Sequence, residues 1–260
     1  MKMRILRISL LVMLIAFSFA IEASPEALAA FNAKEFINGN NDTLLYRMLE
    51  PQNKCFFKKY PLVIFLHGSG ERGNDNERQL IWGAGAFIKE ENRKDYPCYV
   101  LAPQCPAEKR WLEKHWTLPT HNMPEDPSES LALVMELMEK IIDKYPINQR
   151  KIYVTGLSMG GFGTWDLISR IPEKIAAAAP ICGGGDENQA AKLTSMPIWV
   201  FHGADDTTVP VERSRNMVNA IKKAGGTMIK YTEYPEVGHG SWKPAYADPE
   251  FIEWLFDQKK

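Results

Sequence analysis

Lys151–Gly161 reads K-I-Y-V-T-G-L-S-M-G-G, and the fold turns on this stretch. Lys151–Thr155 has the β-branched and aromatic content of a short buried strand, bounded by Gly156. Beyond Ser158 the period changes, and Phe162, Trp165, Leu167, Ile168 and Ile171 suit one broad apolar face of a helix. Between them Gly156–Gly160, G-L-S-M-G, fits G-x-S-x-G, a pattern that sets a serine on a sharp strand-to-helix turn. The spacing has a chemical reason. A hydroxyl that attacks must project clear of the backbone, and glycines two residues before and after remove the Cβ atoms that would collide. The backbone N–H of Met159 then lies at the positive end of the new helix, where it can stabilise an oxyanion. An ordinary serine in a glycine-rich turn is the alternative, and the flanking strand and helix favour the nucleophile.

Working outward, Leu62–Leu66 is a fully apolar run, as expected of a strand covered on both faces. It opens into H-G-S-G-E-R-G, residues 67–73. Thr43–Leu49, Tyr99–Ala102, Ala176–Ile181, Ile198–His202 and Met228–Tyr234 also read as strands. Ser128–Tyr145 is an amphipathic helix, with Leu131, Val134, Met138 and Ile141 at helical spacing and Ser128 or Ser130 as its cap. Further helices are expected near Val211–Ala224 and Pro249–Gln258. Strands alternating with helices predict an α/β domain, a mostly parallel sheet with helices on both faces. Gln104–Pro127 fits neither period and reads as a long surface loop holding Trp111, His115, Trp116 and His121.

The N-terminus has the pattern of a signal peptide over residues 1–20. Lys2, Arg4 and Arg7 precede the apolar run Ile8–Phe19, and Ser18-Phe19-Ala20 is a small-x-small cleavage site. The run falls short of the roughly 20 apolar residues of a membrane span. Residues 21–260 are expected as one secreted or periplasmic catalytic domain without a stable membrane anchor. A net charge of -1 gives no reason to expect nucleic acid or an anionic membrane surface as a partner. Cys55, Cys98, Cys105 and Cys182 permit three full disulfide pairings, or four buried free thiols. No H-E-x-x-H or paired C-x-x-C occurs, so neither metal nor cofactor is expected.

A serine hydroxyl needs a histidine to take its proton and an acid to orient that histidine. On folds with this elbow the order is Ser, acid, His. Of the five histidines, His239 in V-G-H-G-S-W is the one that leaves room for an acid after a further strand. The acid is expected in F-H-G-A-D-D-T-T-V-P as Asp205 or, by preference, Asp206, with Asp186 a distant third. The second oxyanion donor is expected from the loop after Leu62–Leu66, around Ser69 and Gly70. His67 and His202, each closing a strand, read as structural.

L-H-G-S-G-E-R-G, G-L-S-M-G-G, H-G-A-D-D-T-T-V-P and G-H-G-S-W together resemble the secreted α/β-hydrolases of the phospholipase/carboxylesterase type. Those are similar to the predicted peptidases, polyhydroxybutyrate depolymerases and feruloyl esterases. The resemblance implies the α/β-hydrolase fold, a Ser158–Asp206–His239 triad, and an oxyanion hole from Ser69 and Met159. The expected activity is serine-dependent hydrolysis of carboxylic esters through an acyl-enzyme. Substrates would be short-chain or aryl (feruloyl-like) esters, small or linked to polysaccharide. A serine peptidase and a non-catalytic carbohydrate- or peptide-binding protein are the competing readings. Trp242, Trp111 and Trp116 are candidate substrate-stacking residues, although Trp111 and Trp116 could equally pack the loop on the core. Export is expected to leave a mature N-terminus just after Ala20, or less favourably after Ala23. N-terminal sequencing of exported protein checks this, and a terminus still at Met1 would refute it.

Overall fold

The computed structural model describes residues 22–260; the expected signal peptide and its Ala20 cleavage point lie outside them. Eight strands form one sheet: β1 (Phe31–Ile37), β2 (Thr43–Leu49), β3 (Tyr60–Leu66), β4 (Tyr99–Pro103), β5 (Ile147–Leu157), β6 (Ala177–Ile181), β7 (Ile198–Gly203) and β8 (Ile229–Tyr234). Their order is β1-β2-β4-β3-β5-β6-β7-β8. The β1–β2 and β2–β4 pairs are antiparallel, and every other pair is parallel. The helices are α1 (Pro25–Ala30), α2 (Gly85–Ile88), α3 (Glu90–Asp95), α4 (Glu129–Lys144), α5 (Met159–Arg170), α6 (Glu212–Lys223), α7 (Trp242–Ala247) and α8 (Pro249–Asp257). This is the mostly parallel sheet that the alternating pattern predicts, in the α/β-hydrolase form that the motif resemblance implies.

The apolar run of β3 explains the layering. Successive side chains point to opposite faces of a strand. Leu62, Ile64 and Leu66 join a core with Leu131, Val134 and Trp165 of α4 and α5. Val63 and Phe65 join a second core, with Phe251 and Leu255 of α8. All five β3 side chains are fully buried. Burying each stabilises the fold by about 1.5–3 kcal/mol, so β3 is covered twice and cannot slide in register without loss on both faces.

Strand β1 and helix α7 were not expected. Phe31 is the one fully buried residue of β1, whose pattern is otherwise mostly exposed, so its sequence carries little periodic signal. Antiparallel pairing along its whole length with β2 holds it instead. Gln104–Pro127 is indeed without regular structure, but it is not wholly a surface loop: Gln104, Cys105, Trp111 and Leu112 are buried. All four cysteines are free, and Cys55 is exposed rather than buried.

The elbow is where the layers touch most closely. The registers Leu66↔Gly156 and Leu157↔Ile181 bring the ends of β3, β5 and β6 level. The first turn of α5 lies against those ends. A Cβ on Gly160 would stand 1.9 Å from the Leu66 carbonyl oxygen, and one on Gly161 would stand 2.4 Å from that of Ile181. Both obstacles are backbone and cannot rotate away. Gly160→Ala is therefore expected to lower the unfolding free energy by about 3 kcal/mol, the upper end of usual overpacking costs. Gly39→Ala, which meets nothing within 4 Å, should change it by less than about 0.5 kcal/mol. Urea titration followed by circular dichroism measures both.

Candidate active site

Ser158 joins β5 to α5 with φ 54° and ψ −118°, a conformation that a non-glycine residue holds only when its surroundings enforce it. They do so on both sides, since Ser158 N–H donates to Ile181 O (2.9 Å) and Phe162 N–H donates to Ser158 O (3.1 Å). The hydroxyl is thus presented at the C-terminal edge of the sheet. There Ser158 Oγ donates to His239 Nε2 at 2.9 Å, and His239 Nδ1–H donates to Asp206 Oδ2 at 2.7 Å. The proton is assigned to Nδ1 because the carboxylate can only accept.

Two loops bring acid and base together by backbone packing. Asp205 N–H donates to Val237 O at 3.0 Å, and a Cβ on Gly203 would stand 2.2 Å from the same oxygen. The turn leaving β7 therefore lies directly on the glycine loop of His239. Asp206 faces inward and is buried, whereas Asp205 is exposed. Asp186, the third candidate, is committed elsewhere: it accepts from the N–H groups of Met123 and Asn188 and holds the long loop.

Asp206 has four donors. Thr208 N–H and Val209 N–H reach Oδ1 at 2.8 and 2.9 Å. His239 Nδ1 and His202 Nε2 reach Oδ2 at 2.7 and 3.2 Å. Burial alone would raise the pKa of this carboxyl, but the bonds from His202, His239 and the Val209 amide outweigh it. They hold it well below the usual carboxylate range, so it stays ionised beside His239. His202 is structural, as expected, and its Nε2–H also points at Val209 O (3.0 Å) while Nδ1 meets Ser214 Oγ (2.7 Å). Its contact with Asp206 was not foreseen. A histidine at a strand's end, four residues before the acid, is the signal that could have shown it.

His67 is structural too. Its Nδ1–H donates to Gly68 O (2.6 Å), and Nε2 accepts from Cys105 N–H (2.9 Å). Burial lowers its pKa to about 4, with Arg72 adding to the shift against the Gly68 bond, and the ring is neutral. The chain after it turns through Gly68 against Leu157, the neighbour of Ser158, so Ser69 begins its short 3₁₀ turn beside the elbow. Met159 N–H, at the start of α5, has no partner within the helix. The two expected oxyanion donors thus stand at adjoining strand ends.

The tryptophans divide. Trp111 is fully buried, with its Nε1–H donated to His67 O (3.0 Å), so it cannot stack a substrate; it pins the loop to the core. Trp116 is half-buried against Leu112, Phe162 and Val209, the last from the Asp206 turn. Trp242 meets the His239 ring edge-on at 5.2 Å. Trp82, which no motif marks, lies 6.1 Å from Trp242 and extends the aromatic wall. Cys182 Sγ also stands within 4.8 Å of ligand atoms of Asp206 and His239. Burial pushes that thiol up to about 12, and Asp206 already accepts four bonds, so the set does not fit a cation.

The profile of the dienelactone hydrolase family matches residues 125–249, a span that contains Ser158, Asp206 and His239. A thermostable esterase of known structure superposes with a TM-score of 0.83 at 41% identity, over 90% of this chain and 64% of its own. The chain has the α/β-hydrolase fold. A probable carboxylesterase SOBER1-like of Arabidopsis thaliana is 29% identical over 195 residues, 68% of this hydrolase and 71% of the relative. A ferulic acid esterase, at 16% identity and TM-score 0.64, shares the fold over 87% of this chain and 97% of its own. The hydrolase spans a little under two thirds of the thermostable esterase, so activity on particular substrates is a separate question. Asp206→Asn should lower kcat/KM for an ester about 10⁴-fold through loss of the correct imidazole tautomer, while Asp205→Asn leaves it nearly unchanged. Steady-state kinetics of the two variants decide it, and the reverse ranking would move the acid to Asp205.

Proposed function

We propose that this hydrolase is an exported serine carboxylesterase that works through Ser158, His239 and Asp206. The observation that carries the reading is the unbroken chain from Ser158 Oγ through His239 to a buried, ionised Asp206, at 2.9 and 2.7 Å. His239 Nε2 accepts the serine proton as Oγ attacks the ester carbonyl carbon. The resulting oxyanion is met by Met159 N–H and by a donor from Ser69, fixed in place before the reaction. The same Nε2–H then protonates the departing alkoxide, leaving an acyl-serine. A water activated by His239 attacks that acyl group and releases the acid and the free serine. Every atom in this scheme comes from the chain, the substrate or water.

The substrate class proposed is a short-chain or aryl ester of the feruloyl type, small or linked to polysaccharide. Support comes from Trp242 beside His239 and Trp82 next to Trp242, since indole rings suit contact with an aromatic acid or a sugar. The expected signal peptide at residues 1–20 supports export, which would bring the enzyme to polymer-linked esters.

Serine-directed fluorophosphonate should label the wild type and not Ser158→Ala. Methyl ferulate or p-nitrophenyl acetate should exceed a long-chain p-nitrophenyl ester and an aminoacyl p-nitroanilide in kcat/KM on one preparation. If the long-chain ester or the anilide wins by about tenfold, roughly 1.4 kcal/mol of transition-state preference, the short or aryl ester reading falls.

A further inference from the structure

The connection between β2 and β3 carries a feature that ester hydrolysis does not use. Residues 52–59 are exposed throughout, and among them Phe56 and Phe57 are 92% and 91% exposed. Ile37, Leu118 and Met228, the other large exposed apolar side chains among the described residues, stand singly and are far less open. The segment is built, not slack. Lys58 N–H donates to Cys55 O at 3.1 Å, closing a four-residue turn with the two phenylalanines at its central positions. Tyr60 Oη accepts Cys55 N–H at 2.8 Å and holds the turn from its base. Central turn positions favour glycine, asparagine, aspartate or proline. Here two phenyl rings occupy them instead, edge to face with each other at 5.2 Å.

The surroundings are cationic. A cleft of about 290 Å³ beside the turn is lined by Lys58, Arg93 and Lys94, and Lys59 borders the next depression. Glu50 takes Lys54 at 2.6 Å, and Asp95 stands on the same rim. Among the described residues, Lys58, Lys59, Arg93 and Lys94 have no carboxylate within salt-bridge reach. Exposed aromatic rings flanked by cations without carboxylate partners match a bilayer interface, with apolar chains below and phosphates above.

We infer that the Cys55–Lys58 turn is a peripheral docking site for an anionic lipid surface. Phe56 and Phe57 enter the boundary between headgroups and acyl chains, and Lys58, Lys59, Arg93 and Lys94 meet lipid phosphates. Such contact is reversible, since two rings and a few cations insert far less than a membrane span. The placement keeps the enzyme usable while docked. The turn precedes the first residue of β3, whereas Ser158 and His239 stand at the opposite ends of the parallel strands. Seven residues of β3 at about 3.3 Å each put roughly 20 Å between the two. The catalytic edge then faces away from the lipid and toward dissolved or polymeric ester.

The test is co-sedimentation of the full mature chain with vesicles of phosphatidylcholine alone or mixed with phosphatidylglycerol. Binding is expected on the anionic vesicles, should weaken with added salt, and should be slight on phosphatidylcholine. The Phe56→Ser/Phe57→Ser variant should lose about tenfold or more in vesicle affinity, and so should Lys58→Glu/Lys59→Glu, which leaves the rings in place. Hydrolysis of soluble p-nitrophenyl acetate by both variants should match the wild type, which shows that they are folded. No binding to phosphatidylglycerol vesicles, or binding that neither variant alters, overturns the inference. So does a wild type that is dimeric by light scattering where the Phe56→Ser/Phe57→Ser variant is monomeric, or one that binds insoluble xylan through that turn in place of vesicles.

Discussion

The approach of one helix to two strand ends governs everything downstream of it. Helix α5 can begin where it does because Gly160 and Gly161 let its first turn rest on the carbonyls of Leu66 and Ile181. That contact fixes the backbone of Ser158 in a conformation it would not choose in isolation. It also sets Met159 N–H level with the turn after β3, so the proposed nucleophile and one proposed oxyanion donor share an origin in the elbow, while Ser69 meets them from β3. A shift of α5 would move Ser158 and Met159 together and break their alignment with Ser69, which the turn after β3 holds.

Electrostatics supply the second condition. A buried carboxylate without partners is heavily penalised, and would take up a proton rather than remain charged. Asp206 avoids this through two backbone amides in its own turn and two imidazoles from different segments. The amides set the position of the carboxylate, and His202 adds a second imidazole donor beside His239. In the proposed mechanism His239 takes the serine proton with the opposing charge already present and oriented.

The sequence made the sheet interior legible because parallel strands buried on both faces must be continuously apolar, as Leu62–Leu66 is. It concealed β1, whose residues are mostly solvent-facing and whose place depends on hydrogen bonds to β2 rather than on side chains. Ser158, Asp206 and His239, which the structure joins by hydrogen bonds, could be singled out because the order of such residues along the chain is a property of the fold. Side-chain direction has no such rule. Trp111 was a candidate for stacking and turns inward to His67, while Trp82, which joins Trp242 beside His239, sits in a stretch with no motif. A net charge of -1 likewise averaged away the cations around Phe56 and Phe57.

The long segment after β4 is fixed at both ends and open between them. At its start Cys105 and Trp111 bond to His67, and Ser128, which caps α4, donates its hydroxyl to Trp111 O at 2.8 Å. Toward its end Arg213 holds Pro119 O, Asp186 holds Met123 N–H, and Arg170 takes the carbonyls of Pro124, Glu125 and Asp126. Residues 113–118 between these fastenings bear few bonds to the rest of the fold. Insertions and deletions there would leave the catalytic frame unmoved while reshaping its approach beside Trp116. The scaffold thereby separates what must be inherited intact from what selection is free to lengthen, shorten or rewrite.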